Sequence, residues 1–208
     1  MMESVQIIWK DLVSENRIES EMINQLWLEI VNAYSLAGRH YHTMQHIEQM
    51  LKSSLKYSGN ILDNNNLQLA VIYHDVVYLA TKNDNEEKSA NFAKNHLEQL
   101  NFTKEAIKKC CNYILATKAH ENNTKERDLD YLLDFDLEIL GAPWDEYEAY
   151  SKQIRLEYQI YPKLLYNKGR KKVLTSFLNQ PKIFRTEIFY QLYEKKARNN
   201  LKKELSII

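Results

Sequence analysis

The chain has 208 residues, 44% apolar and 27% charged, with 28 basic and 28 acidic side chains and so no formal net charge. That length can bury a substantial core in one domain, and the charge balance gives no general field for nucleic acid or an anionic membrane. Four glycines and three prolines leave little material for hairpin turns, which points to long helices and short connections.

Met1 to Leu12 has neither the basic start nor the apolar centre of a signal peptide. No run reaches the roughly 18 apolar residues of a membrane span. The two cysteines, Cys110 and Cys111, are adjacent; helix neighbours cannot easily pair, so free thiols in a reducing compartment are expected. A cytoplasmic protein with no nucleic-acid or membrane partner is the expectation; its oligomeric state is not legible.

Residues 18–37 have helical spacing in Ile18, Met22, Ile23, Leu26, Ile30, Val31 and Tyr34, with Gly38 as the C-terminal stop. Arg39-His40-Tyr41-His42-Thr43-Met44-Gln45-His46-Ile47 follows at once, placing three of the six histidines within seven residues. It leads into a helix carrying Met50, Leu51 and Leu55 that ends near Gly59, and residues 60–66 are expected to form a loop. The apolar run Leu67–Ala80 is expected to be one buried helix, with His74 and Asp75 inside it. Asp84 is expected to cap a helix through Leu97, with Glu86 and Glu87 in its first turn. Thr103 is expected to cap another, running to about Lys118.

A polar stretch from His120 to Arg127 precedes a helix that ends at Leu140, marked by Gly141 and Pro143. Trp144 opens the next, and the last helix is expected over about 184–205. The pattern is all-α, one domain over 1–208. A core of about 38–140 holds the histidines, with C-terminal helices over 144–205.

The chemistry gathers on the histidines. His42 and His46 are four apart, and on a helix they share a face. His74 and Asp75 are adjacent, about 100° apart around a helix, and both can reach an ion off its shoulder. An aspartate in so apolar a run is costly unless paired or ligating. Asp134 and Asp136 repeat that anomaly in Leu132-Leu133-Asp134-Phe135-Asp136-Leu137. Imidazoles with carboxylates suit a divalent ion such as Mn²⁺, Fe²⁺, Co²⁺, Zn²⁺ or Mg²⁺. Such an ion brings a water near neutral pKa, and a nearby histidine can return a proton to a leaving group.

Other residues carry plainer expectations. His40 is a flanking residue, and His96 lies on a solvated helix face. His120 suits a helix C-terminus as an imidazolium, or a second metal. Tyr147, Tyr150, Tyr158 and Tyr161 are core and rim, and Lys168–Lys172 forms a solvated basic face.

In order along the chain, Arg39-His40-Tyr41-His42-x-x-x-His46-Ile47, Tyr73-His74-Asp75, Asn85-Glu86-Glu87-x-Ser89-Ala90, Leu132-Leu133-Asp134-x-Asp136-Leu137 and Ile139-Leu140-Gly141 resemble the predicted metal-dependent phosphohydrolases of the HD superfamily. So do Ile154-Arg155-x-Glu157-Tyr158, Gly169-Arg170 and Ala197-Arg198-x-Asn200-Leu201, so the likeness runs from about Trp27 to Leu205. The resemblance implies an HD-type helical bundle with His46, His74, Asp75 and Asp136 as metal ligands, Asp134 being the alternative to Asp136 or a residue that orients a histidine. A more distant likeness to cyclic nucleotide phosphodiesterases implies His42 as general acid. The implied activity is hydrolysis of a phosphate mono- or diester, with a nucleotide or related small molecule as substrate. Two other readings are carried beside it, a di-iron oxygenase and a non-catalytic nucleotide or metabolite sensor. One departure stands out: nucleotidase members place an acid three residues after the His-Asp pair, where this chain has Tyr78. Either metal-bound hydroxide suffices there, or Glu86 or Glu87 assists in its stead. Arg39, Lys118 and Arg170 are the cations expected to stabilise phosphoryl oxygens.

Overall fold

The computed structural model describes residues 2–16 and 18–208, and every regular element among them is helical. The chain falls into two compact units, residues 1–132 and 133–208, and the boundary lies inside a continuous helix.

The first unit contains α1 (Met2–Val13), α2 (Ser20–Tyr34), α3 (Met44–Lys56), α4 (Asn64–Tyr73), α5 (Asn85–Gln99), α6 (Lys104–Ala116) and the start of α7 (Arg127–Leu137). Its centre is α4. Every residue from Asn66 to Tyr73 is buried, so this helix has no solvent face, and it packs against α1, α3, α5 and α6. The sequence supplies that all-round burial through Leu67, Leu69, Val71 and Ile72, each contributing about 1.5–3 kcal/mol when taken from water. The buried Trp9 of α1 stacks on Trp27 (6.4 Å between ring centroids) and meets the edge of Tyr73 (5.8 Å).

Local chemistry sets the helix starts. Thr43 caps α3 by accepting from Gln45 N (3.3 Å), and Asp63 caps α4 by accepting from Asn66 N (3.1 Å). Thr103 caps α6 as its sequence predicts, accepting from Ala106 N (3.2 Å). Asp84 precedes α5 but makes no cap bond; its carboxylate pairs with Lys88 at 2.9 Å.

The helix ends depart further from expectation. α2 stops at Tyr34, where the Ser35 amide closes onto Val31 and Asn32 carbonyls, and Gly38 takes its left-handed φ of 92° in the following turn. α4 begins within the expected loop and stops at Tyr73, seven residues before Ala80. No glycine or proline marks that end. Contacts distant in sequence define it, with Ser89 Oγ holding Val77 N (3.1 Å) and Asn85 bridging both backbone groups of Leu79.

The second unit holds the end of α7, a 3₁₀ turn over Glu138–Gly141, α8 (Trp144–Glu157), α9 (Lys163–Asn179) and α10 (Glu187–Ile207). Gly141 lies against Tyr193 so closely that a Cβ there would stand 2.6 Å from the tyrosine Cβ. Asn200 grips the same turn, its amide donating to the carbonyls of Leu140 and Ala142 at 2.9 Å each. Beside it, the buried Glu204 accepts from Arg170, Ser151 and Tyr147.

Lys168, Lys171 and Lys172 are exposed, as a solvated face requires, and Tyr147 is buried. Both cysteines are free thiols, Cys110 buried and Cys111 half-buried. Among the described residues no helix is long and apolar enough to cross a membrane.

Candidate metal centre

His74 and Asp75 stand just past the last turn of α4, where the chain leaves the helix, and not in its interior. The His74 amide still closes onto Ala70 O (2.9 Å). Its Nδ1 lies 2.8 Å from Val71 O, so Nδ1 carries the proton and donates, leaving the Nε2 lone pair for a metal or an acid. Asp75 Oδ2 is 3.1 Å from that Nε2. The aspartate is half-buried, not sealed in an apolar helix.

His46 lies in the first turn of α3 and is buried; its ring centroid is 5.4 Å from that of His74 and 4.8 Å from that of Tyr41. His42 precedes the Thr43 cap and is therefore outside the helix. The expectation that His42 and His46 share a helix face fails for that reason. The fold still brings the rings near each other, 6.1 Å apart. His42 stacks on Tyr78 (4.1 Å, 26° between planes) with Nε2 4.0 Å from Asp75 Oδ2. Tyr78, which occupies the place of the acid missing from the expected pattern, is thus a ring support for His42. Nothing in the sequence beyond its position signals that contact.

Arg39, expected at the phosphate, is engaged by the backbone. It is 9% exposed, and its guanidinium donates to three backbone carbonyls, those of His42 (2.9 Å), Asp75 (2.8 Å) and Val76 (2.8 Å).

The start of α7 is fixed in the first unit by Asp128, which accepts from Leu62 N and Asp63 N at 2.9 Å each, and by Tyr131 stacked on Tyr57. The same helix carries Asp136 about one turn beyond Leu132. One ring nitrogen of His46 and one of His74 lie within 4.8 Å of each other, and the Asp75 carboxylate adjoins His74. Two imidazoles beside a carboxylate suit a borderline divalent ion, and the residues fit one.

Asp134, about 200° around the helix from Asp136, is fully buried and committed elsewhere. Its carboxylate accepts from Arg185 N (2.7 Å), Thr186 N (2.8 Å) and Thr186 Oγ1 (2.7 Å), capping α10. The Asp134 carboxylate is thus engaged within the second unit.

The remaining expected residues are placed as follows. Glu86 is half-buried in α5. Lys118 Nζ is 2.6 Å from both Glu87 Oε1 and Asn83 O, which holds the Glu87 carboxyl below its ordinary range and raises the ammonium. Its charge is met by Glu87. Arg170 is likewise occupied, its Nε and Nη2 on Glu204 at 2.8 and 3.0 Å. His40 is half-buried. His120 lies four residues beyond α6 with a φ of 49°, past the position where an imidazolium would cap that helix.

His96 corrects another expectation. It is buried, not solvated, with Nδ1 3.3 Å from Tyr73 Oη and Nε2 3.1 Å from Glu29 Oε2. Burial pushes its pKa down, against the upward pull of Glu29.

Comparison with protein-family models, with curated proteins and with solved structures finds no match to this chain.

Proposed function

We propose that this chain is a divalent-metal-dependent phosphohydrolase acting on a phosphate mono- or diester. The observation that carries the reading is the approach of a His46 and a His74 ring nitrogen to within 4.8 Å, with Asp75 Oδ2 3.1 Å from His74 Nε2, backed by a His74 tautomer that leaves Nε2 as donor to an ion. Helical architecture alone says nothing of chemistry. The preference for a nucleotide or related small molecule rests on the ordered likeness to the HD superfamily.

His46, His74 and Asp136 would hold the ion, with Asp75 beside them. When bound, the ion supplies charge compensation for the phosphoryl group and an acidified water. His42 is placed to return a proton to the leaving oxygen, since its ring is braced by Tyr78 and its Nε2 is 4.0 Å from Asp75 Oδ2. With Lys118 met by Glu87 and Arg170 by Glu204, neither cation is assigned to the phosphate.

The test is elemental analysis of purified wild type, His46→Ala and Asp136→Asn, with phosphate release measured from an aryl phosphate and a nucleotide panel in added Mn²⁺. The expected result is metal and metal-dependent release in wild type, both lost in the variants. Two irons per chain with O₂ consumption and no phosphate would move the assignment to an oxygenase. Ligand binding without turnover on any metal would indicate a sensor. A folded wild type that takes up no metal would end the proposal.

A further inference from the structure

The two segments that carry the histidines are joined by one side chain. Residues 40–43 lead into α3, and residues 74–76 lead out of α4. Arg39 donates to the carbonyl of His42 in the first and to the carbonyls of Asp75 and Val76 in the second. Its Cζ also lies 5.0 Å from the ring centroid of Tyr34 and 5.7 Å from that of Tyr78, the ring stacked on His42.

We infer that Arg39 is a positioning residue for the metal centre, holding the His42 loop and the His74–Asp75 turn in one register. The inference rests on the metal-site reading above. A chain leaving a helix carries carbonyls without intrahelical partners, and a buried cation needs acceptors. Three carbonyls from two segments satisfy both demands together. Only a planar group with several fixed donors can serve them at once, because a lysine ammonium is a compact point charge on a flexible stem. The residues held are Asp75, whose Oδ2 is 3.1 Å from His74 Nε2, and His42, whose Nε2 is 4.0 Å from that same Oδ2. Moving either segment therefore alters the surroundings of the ligand nitrogen without touching a ligand.

The alternative is that Arg39 merely terminates α4, in which case its loss lowers stability and leaves the metal affinity of the folded protein alone. The experiment uses the intact chain as wild type, Arg39→Lys and Arg39→Ala. Co²⁺ is titrated into each and followed by visible absorption, which reports both affinity and ligand geometry, and metal-free unfolding is recorded beside it. Loss of an outer partner of a metal ligand typically weakens binding by about 10–100-fold. We expect a loss of that size in Arg39→Lys with a changed absorption band, and partial recovery of Arg39→Ala by millimolar methylguanidinium. Should Arg39→Ala not fold, Arg39→Lys decides alone. Wild-type affinity and spectrum in Arg39→Lys, whatever its stability, would overturn the inference and leave the metal site standing. A wild type that binds no Co²⁺ would instead remove both.

Discussion

Asp134→Asn separates the two aspartates of α7 by function. The Asp134 side chain is fully buried and accepts from two backbone amides and one hydroxyl at the start of α10, all between 2.7 and 2.8 Å. An asparagine of the same shape keeps one acceptor oxygen and turns an amide donor toward the other partners. One of the two backbone N–H groups then loses its acceptor inside the protein, at a cost of about 1–3 kcal/mol. The bond that survives loses its ionic character, worth roughly a further 1 kcal/mol. The Thr186 hydroxyl can rotate to accept, and adds little. The sum is about 2–4 kcal/mol, a large part of the stability of an ordinary domain. Urea unfolding of the metal-free protein measures it, and Mn²⁺ titration of the same sample reports the site. We expect a lower unfolding midpoint with metal stoichiometry retained in Asp134→Asn, and the reverse in Asp136→Asn. Loss of metal in Asp134→Asn with an unchanged midpoint would refute the reasoning and make Asp134 the ligand.

Two further predictions concern the second unit. Burial alone would raise the Glu204 carboxyl, but Arg170, Tyr147 and Ser151 hold it below its ordinary value of about 4.5, so the stability it contributes is complete above that value and is lost as pH falls through the folded pKa. Glu204→Gln leaves Arg170 buried without its counter-charge and is expected to lose about 3–5 kcal/mol at neutral pH; it should also flatten the acid limb, and an unaltered unfolding curve from pH 7 to 3 would contradict this. Gly141→Ala should lower the melting temperature through a clash costing about 1–3 kcal/mol, because the new Cβ would also meet the Tyr193 Cα at 3.0 Å; Tyr193→Ala in the same chain keeps that Cα and the Cβ and should not restore it.

Much of the helical pattern is readable from spacing and punctuation, because amphipathic repeats and Thr103 act locally. The end of α4 is not. The apolar run continues past Tyr73, and what stops the helix there is an arginine 36 residues upstream together with Ser89 and Asn85 downstream. The same tertiary origin hides the burial of His96, since Glu29 and Tyr73 come from other helices. Asp134 and Asp136 look alike in sequence, and only the position of the α10 start tells which carboxylate is already engaged. The histidine cluster was visible because imidazole is scarce and was concentrated in one stretch. The way its members are held was not, because His42 owes its place to Tyr78 and Arg39 and not to helical phase.

The Arg39 strap also bears on the order of events in folding. Helices such as α3 and α4 close through contacts four residues apart and can form within microseconds, whereas the arginine must meet carbonyls 36 and 37 residues away. Closing that longer loop carries an entropic cost that helix growth does not. Helices α3 and α4 can therefore form before the histidines at and beyond their ends are gathered. In that interval, imidazoles that are not yet in place can take metal indiscriminately, and binding to the unfolded chain weakens the stabilisation a native site receives. Refolding without metal, followed by loading, is accordingly the route by which this chain should recover the most uniform product.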